Sequence, residues 1–216
     1  MGLNVSKGNM YEFVTHTWNA VKGECYHGCG YCYMHRWGKQ KPVRFDEKEM
    51  KTDLGTDNFI FVGSSCDMWS DNIPEEWIIK TIEKCDQYPD NGYLFQTKNP
   101  HRIRRILPYN SKVCITLETN RHYPDVMKNS PSPKTRVAEA SLIRDPLYVT
   151  IEPVIDFDSD KFYDMIYRLD PIQVNVGADS GKNNLPEPDK FKLNTFIAKL
   201  EKITTVHLKP NLRRLL

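Results

Sequence analysis

Three cysteines stand close together near the start of the chain, at Cys25, Cys29 and Cys32, with the spacing C-x3-C-x2-C. Glycines lie before and between them, so the loop can turn tightly. Thiolates are soft ligands that select zinc or an iron–sulfur cluster. A fully ligated [4Fe–4S] cluster takes four cysteines, so three leave one iron open. The spacing predicts a metal centre on this loop.

A structural zinc ion is the alternative, with His27 or His35 as the fourth ligand. Zinc sites usually take their second ligand pair from a distant segment, which favours the cluster. The other three cysteines are scattered, so we expect one cluster and no disulfide framework. Among them, Cys85 on a predicted helix and Cys114 in a predicted strand are expected in the core.

Predicted strands and helices alternate from about residue 58 onward, because short runs of β-branched and aromatic residues alternate with longer amphipathic stretches. The predicted strands are Phe13–Trp18, Phe59–Val62, Tyr93–Thr97, Val113–Leu117, Tyr148–Ile151, Gln173–Val176 and Thr205–Leu208. The predicted helices are Pro74–Cys85, Pro100–Ile106, Lys134–Ile143, Asp160–Arg168 and Pro188–Lys202. Seven strands are too few for a closed eight-stranded barrel, and the order favours an open or partial barrel. Chemistry then collects where the strands end.

Composition and charge restrict the class of protein further. The chain has 216 residues, 39% hydrophobic and 27% charged, which predicts a single globular domain over residues 1–216 and excludes disorder and fibres. The net charge of +2 does not by itself indicate nucleic-acid binding. We find neither the roughly 18 apolar residues of a membrane span nor a signal peptide, and predict a cytoplasmic protein without membrane partners.

The cysteine loop resembles the radical S-adenosylmethionine (SAM) superfamily, whose hallmark is C-x3-C-x-aromatic-C after the first barrel strand, here with Tyr31 as the aromatic residue. The resemblance implies an α/β fold of the partial (β/α)6-type TIM barrel. It also implies one [4Fe–4S] cluster on Cys25, Cys29 and Cys32, with SAM chelating the fourth iron. The reaction would be cleavage of SAM to a 5′-deoxyadenosyl radical, with an electron from a reductant such as flavodoxin or ferredoxin.

Motifs at the later strand ends narrow this resemblance. Phe-x-Gly-Ser-x-Cys, followed by Thr97-Lys98, is similar to the spore photoproduct lyase branch and to small phage-associated radical SAM proteins of unknown function. Such a source would place the protein in the host cytoplasm. The resemblance implies that the SAM amino and carboxylate groups and ribose are bound by Gly63, Ser64, Ser65, Lys98, Thr116, Glu118 and Asn120, with Asp67 as a further charge partner of the amino group.

Cys66 has a separate implied role, because lyases of that branch carry a hydrogen-donating cysteine after a Gly-Ser turn; here the turn is one residue longer. The competing interpretation is a small buried core residue. Glu152 and Asp179 each follow a strand and are expected at the barrel mouth, where their carboxylates would bind substrate or polar groups of SAM. The alternative for either residue is a helix cap or an ion pair with a nearby Lys or Arg. Four aromatic residues near the cluster either stack on a ring-shaped substrate or form walls of the core: Tyr26, Tyr33, Trp37 and Trp69.

The leading substrate hypothesis is a nucleobase in DNA, and it rests mainly on the resemblance. Basic stretches at residues 98–105 and 209–214 are candidates for tracking a phosphate backbone, with Arg104 and Arg105 as the test positions. A peptide or a small metabolite is the rival substrate. A different class of hypothesis is a non-catalytic metal-binding interaction module, which would bind metal without consuming SAM.

Overall fold

The computed structural model describes residues 3–103 and 107–216. Its main sheet has eight strands in the order β1-β2-β5-β6-β7-β8-β9-β10, and every neighbouring pair is parallel except β1 with β2. The strands are β1 (Asn4–Val5), β2 (His16–Trp18), β5 (Phe59–Val62), β6 (Gly92–Thr97), β7 (Ser111–Thr116), β8 (Leu147–Ile151), β9 (Gln173–Val176) and β10 (Thr205–Leu208). Two further strands, β3 (Val21–Lys22) and β4 (Arg44–Phe45), pair with each other.

Helices fill most connections between the parallel strands. They are α1 (Glu75–Asp86), α2 (Pro124–Met127), α3 (Pro133–Ala140), α4 (Ser159–Leu169) and α5 (Lys190–Leu200). Pro100–Ile106 was expected to be a helix, but the structure has only a 3₁₀ turn at Pro100–Arg102, and residues 104–106 lie outside the described part. The backbone of Ile103 leaves the helical region (ψ 76°), which ends the turn. Among the described residues, no helix is long and apolar enough to cross a membrane.

Side chains alternate across the sheet with the period of two that a strand imposes. In β5, Ile60 and Val62 join the large core that contains residues from the helices, whereas Phe61 joins a second, smaller core. The same alternation separates Phe95 from Leu94 in β6. The sheet therefore has a helix-covered face and an inner face.

The N-terminal segment covers part of the inner face. Tyr11 and Val14 are buried there against Phe61, Leu94 and Cys114. We expected a strand from Phe13, but β2 begins only at His16, because the residues before it turn into this second core. The segment gives the inner face an apolar floor.

A short hairpin holds both ends of the cysteine loop. In the β3–β4 pair Val21 faces Phe45, and the loop of residues 23–43 runs between these strands. Gly23 has φ +112°, and a Cβ there would lie 2.6 Å from the carbonyl oxygen of Pro42, so only glycine fits. Lys22 bonds Asp46 at 2.8 Å and fixes the base of the hairpin.

Candidate metal and cofactor site

A cavity of about 590 Å³ opens where the parallel strands end. The cysteine loop forms one side, and residues 7–11 of the N-terminal segment form another. The ends of β5, β6, β7, β8, β9 and β10, or the residues that follow them, complete the lining. Twelve of the predicted site residues line it: Cys25, Cys29, Tyr31, Cys32, Gly63, Ser64, Ser65, Cys66, Lys98, Thr116, Glu152 and Asp179. Glu118 and Asn120 are absent from this lining.

The cysteine loop is held by its own backbone and by the segment around α2. Cys32 N donates to Cys29 O at 3.1 Å, and Gly30 N donates to Val126 O at 2.8 Å. The Cys29 sulfur lies 3.4 Å from the Ser130 hydroxyl. These contacts fix the backbone of the loop at the edge of the cavity.

The chemistry of the donor set fits a cationic metal centre. Burial raises the pKa of Cys32, and the nearby sulfurs of Cys29 and Cys25 raise it further, because their negative charges repel a third thiolate. A bound cation would relieve that repulsion. Within residues 3–103 and 107–216, no group of three or more His, Cys, Asp or Glu side chains is arranged so that it could hold a metal ion.

Cys66 lies beside the predicted ligands. It is 3% exposed, and its thiol hydrogen-bonds to Cys25. The interaction between the two thiols lowers the pKa of Cys25 and raises that of Cys66. The structure thus brings Cys66 into direct contact with the cysteine loop.

Asp67 joins the loop to the ends of β5 and β6. One carboxylate oxygen of Asp67 is 2.8 Å from His27 Nε2 and accepts bonds from the Thr97 hydroxyl and the Lys98 backbone N–H. The other oxygen accepts the Trp69 N–H at 3.0 Å. Asp67 is therefore a positioning residue rather than a free charge partner for an ammonium group, and the zinc alternative loses His27 Nε2 as a ready ligand.

The Gly63-Ser64-Ser65 turn is shaped by Asn19. Its side-chain oxygen lies 3.2 Å from the Ser64 hydroxyl and 3.0 Å from the Ser65 hydroxyl, and both hydroxyls donate to it. Gly63 has φ +78°, which turns the chain sharply after β5. Because their hydrogens are directed at Asn19, the two serine oxygens keep lone pairs for an external cation.

Lys98 provides a cation at the cavity wall. In the described part of the chain its Nζ makes no hydrogen bond, and the nearest carboxylate oxygen, on Glu118, is 4.0 Å away. The Nζ also lies 5.5 Å from the centre of the Tyr31 ring. Burial opposes the charge on Lys98, but the negative charges of Cys29 and Glu118 raise its pKa overall. Lys98 therefore remains an ammonium with unused donors.

Glu118, a predicted ribose contact, lies behind the cavity and outside its lining. It is fully buried, accepts the hydroxyl of Tyr31, and forms an ion pair with Arg136 at 2.7 Å. Burial raises the pKa of Glu118, but the charges of Arg136 and Lys98 outweigh that effect and lower it. The carboxylate is thus ionised and fully engaged in holding Tyr31, the aromatic residue of the cysteine motif.

Asn120, the other predicted ribose contact, also lies outside the lining of the cavity. Its side chain donates to Asp158 Oδ2 at 3.1 Å and accepts the Asp158 N–H at 2.8 Å, immediately before α4. The amide is used to fix the start of that helix, so the expected ribose contact is not supported by its position.

Glu152 connects both ends of the chain at the cavity. It accepts the Asn9 side-chain amide at 2.7 Å, the Asn211 amide at 3.0 Å and Lys209 Nζ at 2.5 Å. Asp179, in contrast, accepts bonds from Gly181 and Asn183 within its own loop. Glu152 therefore ties the N-terminal and C-terminal segments together across the barrel mouth, whereas Asp179 shapes a loop beside it.

The sequence did not predict a row of hydrogen-bonded side chains on the inner face of the sheet. The hydroxyl of Tyr11 donates to Gln96 at 2.7 Å and lies 4.0 Å from the Cys114 sulfur, and Gln96 donates to Thr116 at 3.1 Å. The position of Gln96, two residues before Lys98 on the same strand, is the signal that could have identified it. Cys114 is buried, as is Cys85, in agreement with the expected core roles.

Exposure separates the four aromatic residues near the cluster. Trp69 is fully buried, whereas Trp37 is 60% exposed and Tyr33 and Tyr26 are 42% and 41% exposed. Trp69 is therefore a core residue, and the other three face solvent.

The basic stretches are partly consumed by internal contacts. Arg102 donates to Ser70 O and Ile73 O, and Arg214 pairs with Glu187. Arg104 and Arg105 lie outside the described residues. Within the described parts of these stretches, Arg102, Lys209 and Arg214 are therefore engaged in internal contacts, whereas Lys98 keeps unused donors at the cavity wall.

Comparison with known proteins identifies the fold. No protein-family model and no curated protein matches the chain. A cysteine-to-serine variant of spore photoproduct lyase superposes with a TM-score of 0.66 at 11% identity, covering 95% of this chain and 79% of that one. A double variant of the same enzyme, with bound AdoMet and dinucleoside spore photoproduct, gives a TM-score of 0.59 at 13% identity, covering 94% and 66%.

A tyrosine-to-phenylalanine variant of that lyase gives a TM-score of 0.64 at 11% identity, covering 96% of this chain and 80% of that one. The likenesses confirm the predicted α/β partial barrel, which is the fold of spore photoproduct lyase. At such low identity they define the fold and leave the reaction to be argued from the site.

Proposed function

We propose that this protein is a radical SAM enzyme whose [4Fe–4S] cluster is held by Cys25, Cys29 and Cys32. The observation that carries the proposal is the position of the three thiols at a cavity formed by the strand ends of this particular fold. A three-cysteine set leaves one iron available to SAM. A structural zinc ion has no need of a cavity of about 590 Å³ beside it.

When bound, the cluster supplies an electron that cleaves SAM to methionine and a 5′-deoxyadenosyl radical, which abstracts hydrogen from the substrate. Lys98 is the residue that binds the SAM carboxylate, because its ammonium donors are unused. Ser64 and Ser65 accept the SAM amino group through oxygens whose own hydrogens go to Asn19. Thr116, whose hydroxyl accepts a hydrogen bond from Gln96, is the third hydroxyl that would contact SAM.

The apolar floor around Tyr11 keeps water from the inner face of the barrel, which protects a reactive radical. Cys66 is the candidate hydrogen donor: its protonated thiol would give a hydrogen atom to a substrate radical and become a thiyl radical. Glu152, held by three donors, offers its carboxylate at the opposite wall. Each of these roles rests on position in the cavity and on protonation state.

A nucleobase in DNA is the substrate class that we propose. The supporting finding is the likeness to structures of spore photoproduct lyase, three of which hold a dinucleoside spore photoproduct. A peptide or small metabolite is the alternative, and the two are separated by whether oligonucleotides or peptides stimulate SAM consumption.

The direct test is anaerobic reconstitution with iron and sulfide, followed by EPR of the reduced protein with and without SAM. We expect a [4Fe–4S]⁺ signal that shifts when SAM is added, and formation of 5′-deoxyadenosine. Cys29→Ala should abolish both. Cys85→Ala is the matched control, since Cys85 is buried on α1 away from the cavity and should keep both. A colourless, zinc-loaded wild-type protein that leaves SAM intact would return the cysteine loop to a structural role.

A further inference from the structure

The segment directly after the third cysteine forms a rim of the cavity that combines exposed rings with positive charge. It consists of the 3₁₀ helix Tyr33–Trp37 and the residues that follow to Gln40, all of which line the cavity. We call these residues, 33–40, the aromatic rim. Trp37 is 60% exposed although it is the largest apolar side chain of the segment. An exposed tryptophan at a cavity mouth is typical of a binding surface.

Arg36 is preorganised within the aromatic rim. Its guanidinium carbon lies 5.3 Å from the centre of the Trp37 ring and 5.9 Å from that of Tyr33, and its Nε donates to the Tyr33 carbonyl at 3.2 Å. In the described part of the chain its two Nη groups donate to no protein acceptor. The side chain is thus held against the rings with its outer N–H groups available to an anion.

Charge on this part of the chain has a single sign. Residues 25–45 contain no Asp or Glu, and their charged residues are Arg36, Lys39, Lys41 and Arg44. Lys39 belongs to the aromatic rim and also lines the cavity. The net charge of the whole chain is only +2, so this segment concentrates positive charge beside the cavity.

From this combination we propose that the aromatic rim binds a single nucleic-acid strand, with a base stacked on Trp37 and the adjoining phosphates paired with Arg36 and Lys39. Stacking rings interleaved with cations are what single-stranded nucleic acid requires, because every base has a π-face and every linkage carries a charge. A peptide of mixed sequence would not need both features at this spacing. The inference rests on the proposed function, since it specifies how that substrate reaches the cavity.

The test uses fluorescence anisotropy to measure how tightly a fluorescently labelled ten-nucleotide oligodeoxythymidine binds to the anaerobically reconstituted protein. Trp37→Ala should weaken binding about 5- to 140-fold, which corresponds to the 1–3 kcal/mol of one stacked base at 1.4 kcal/mol per tenfold. Arg36→Gln should reduce the slope of log K against log salt by about 0.7, because one phosphate contact to a single strand is lost. Trp37→Ala should leave that slope unchanged.

Matched controls lie on α5, where Phe191 is 81% exposed and Lys190 is adjacent and exposed. Phe191→Ala and Lys190→Gln should leave affinity and salt slope at wild-type values. The proposal is overturned if Trp37→Ala binds within twofold of wild type, if duplex is bound more tightly than single strand, or if no strand binds at low salt.

Assays of SAM cleavage distinguish failure of this inference from failure of the proposed function. Protein that cleaves SAM but binds no oligonucleotide retains the radical SAM function and refutes the role of the aromatic rim. Protein that binds the strand through Trp37 but never consumes SAM supports the rim and refutes the enzymatic proposal.

Discussion

Replacing Arg136 with methionine tests the role of the buried ion pair behind the cysteine loop. Arg136 and Glu118 are both fully buried, and the pair is joined at 2.7 Å. The substitution leaves Glu118 with the Tyr31 hydroxyl and with Lys98, whose Nζ is 4.0 Å away. Removing one partner of a buried pair costs about 3–5 kcal/mol, because an uncompensated charge remains. That cost is a large share of the roughly 5–15 kcal/mol that stabilises a typical domain.

Urea unfolding of the reduced, metal-free protein at pH 7 gives the free energy of unfolding directly. Lys199→Met is the matched control: its pair with Asp160 is exposed, so a change of only about 0–1 kcal/mol is expected. The double variant Arg136→Met/Glu118→Leu should recover at least about 1 kcal/mol of the single-variant loss, because no unpaired charge remains. A single-variant loss below about 1 kcal/mol, or a double variant no better than the single, would refute the reasoning.

The same pair predicts the sign of a pH effect. The pKa of Glu118 is lowered in the folded protein, so its contribution to stability is present above its unfolded pKa of about 4.3 and is lost as pH falls through the folded value. In Arg136→Met, the carboxyl loses its main cation and burial dominates. The stability difference between wild type and variant should therefore be smaller at pH 4 than at pH 7 in the same urea titration.

Three further substitutions test other contacts. Lys209→Met should lower the free energy of unfolding by about 1.5–3 kcal/mol in urea, because Glu152 loses its charged donor; no change would mean that the tie across the barrel mouth carries no stability. Asp170→Gly should raise the free energy of unfolding by about 1 kcal/mol, because Asp170 has φ 44° at the end of α4 and glycine adopts that conformation without strain. A decrease in the free energy of unfolding would contradict the strain assigned to Asp170. Cys66→Ala should keep full iron content and 5′-deoxyadenosine formation while losing substrate turnover; iron loss as large as in Cys29→Ala would make Cys66 a structural support of the loop instead.

The strands were predictable because each is a short apolar run between polar turns. β5, β9 and β10 have their predicted bounds, and the ends of β6, β7 and β8 differ by one or two residues. The two-residue strands β3 and β4 could not be found, since their pairing depends on a loop of 21 residues between them rather than on any local pattern.

Side chains of the candidate site were predictable where a strand end fixes their direction. Lys98 and Glu152 continue the inward parity of β6 and β8, so counting along the strand brings them to the cavity. Glu118 has the same parity two residues after β7, but its carboxylate is bound by Arg136 and Tyr31 and does not line the cavity. Arg136 itself carried no signal, because a charged residue on a helix is ordinarily taken as solvent-facing.

Asp67 couples the order of the cysteine loop to that of the chain directly after β6. Its carboxylate accepts the Lys98 backbone N–H at 2.9 Å while bonding His27 at 2.8 Å. Any excursion that detaches His27 therefore weakens the acceptor on which the Lys98 amide depends. The rate at which the Lys98 amide exchanges with solvent deuterium therefore reports how well the cysteine loop is ordered. This measurement requires no substitution or labelling of a cysteine.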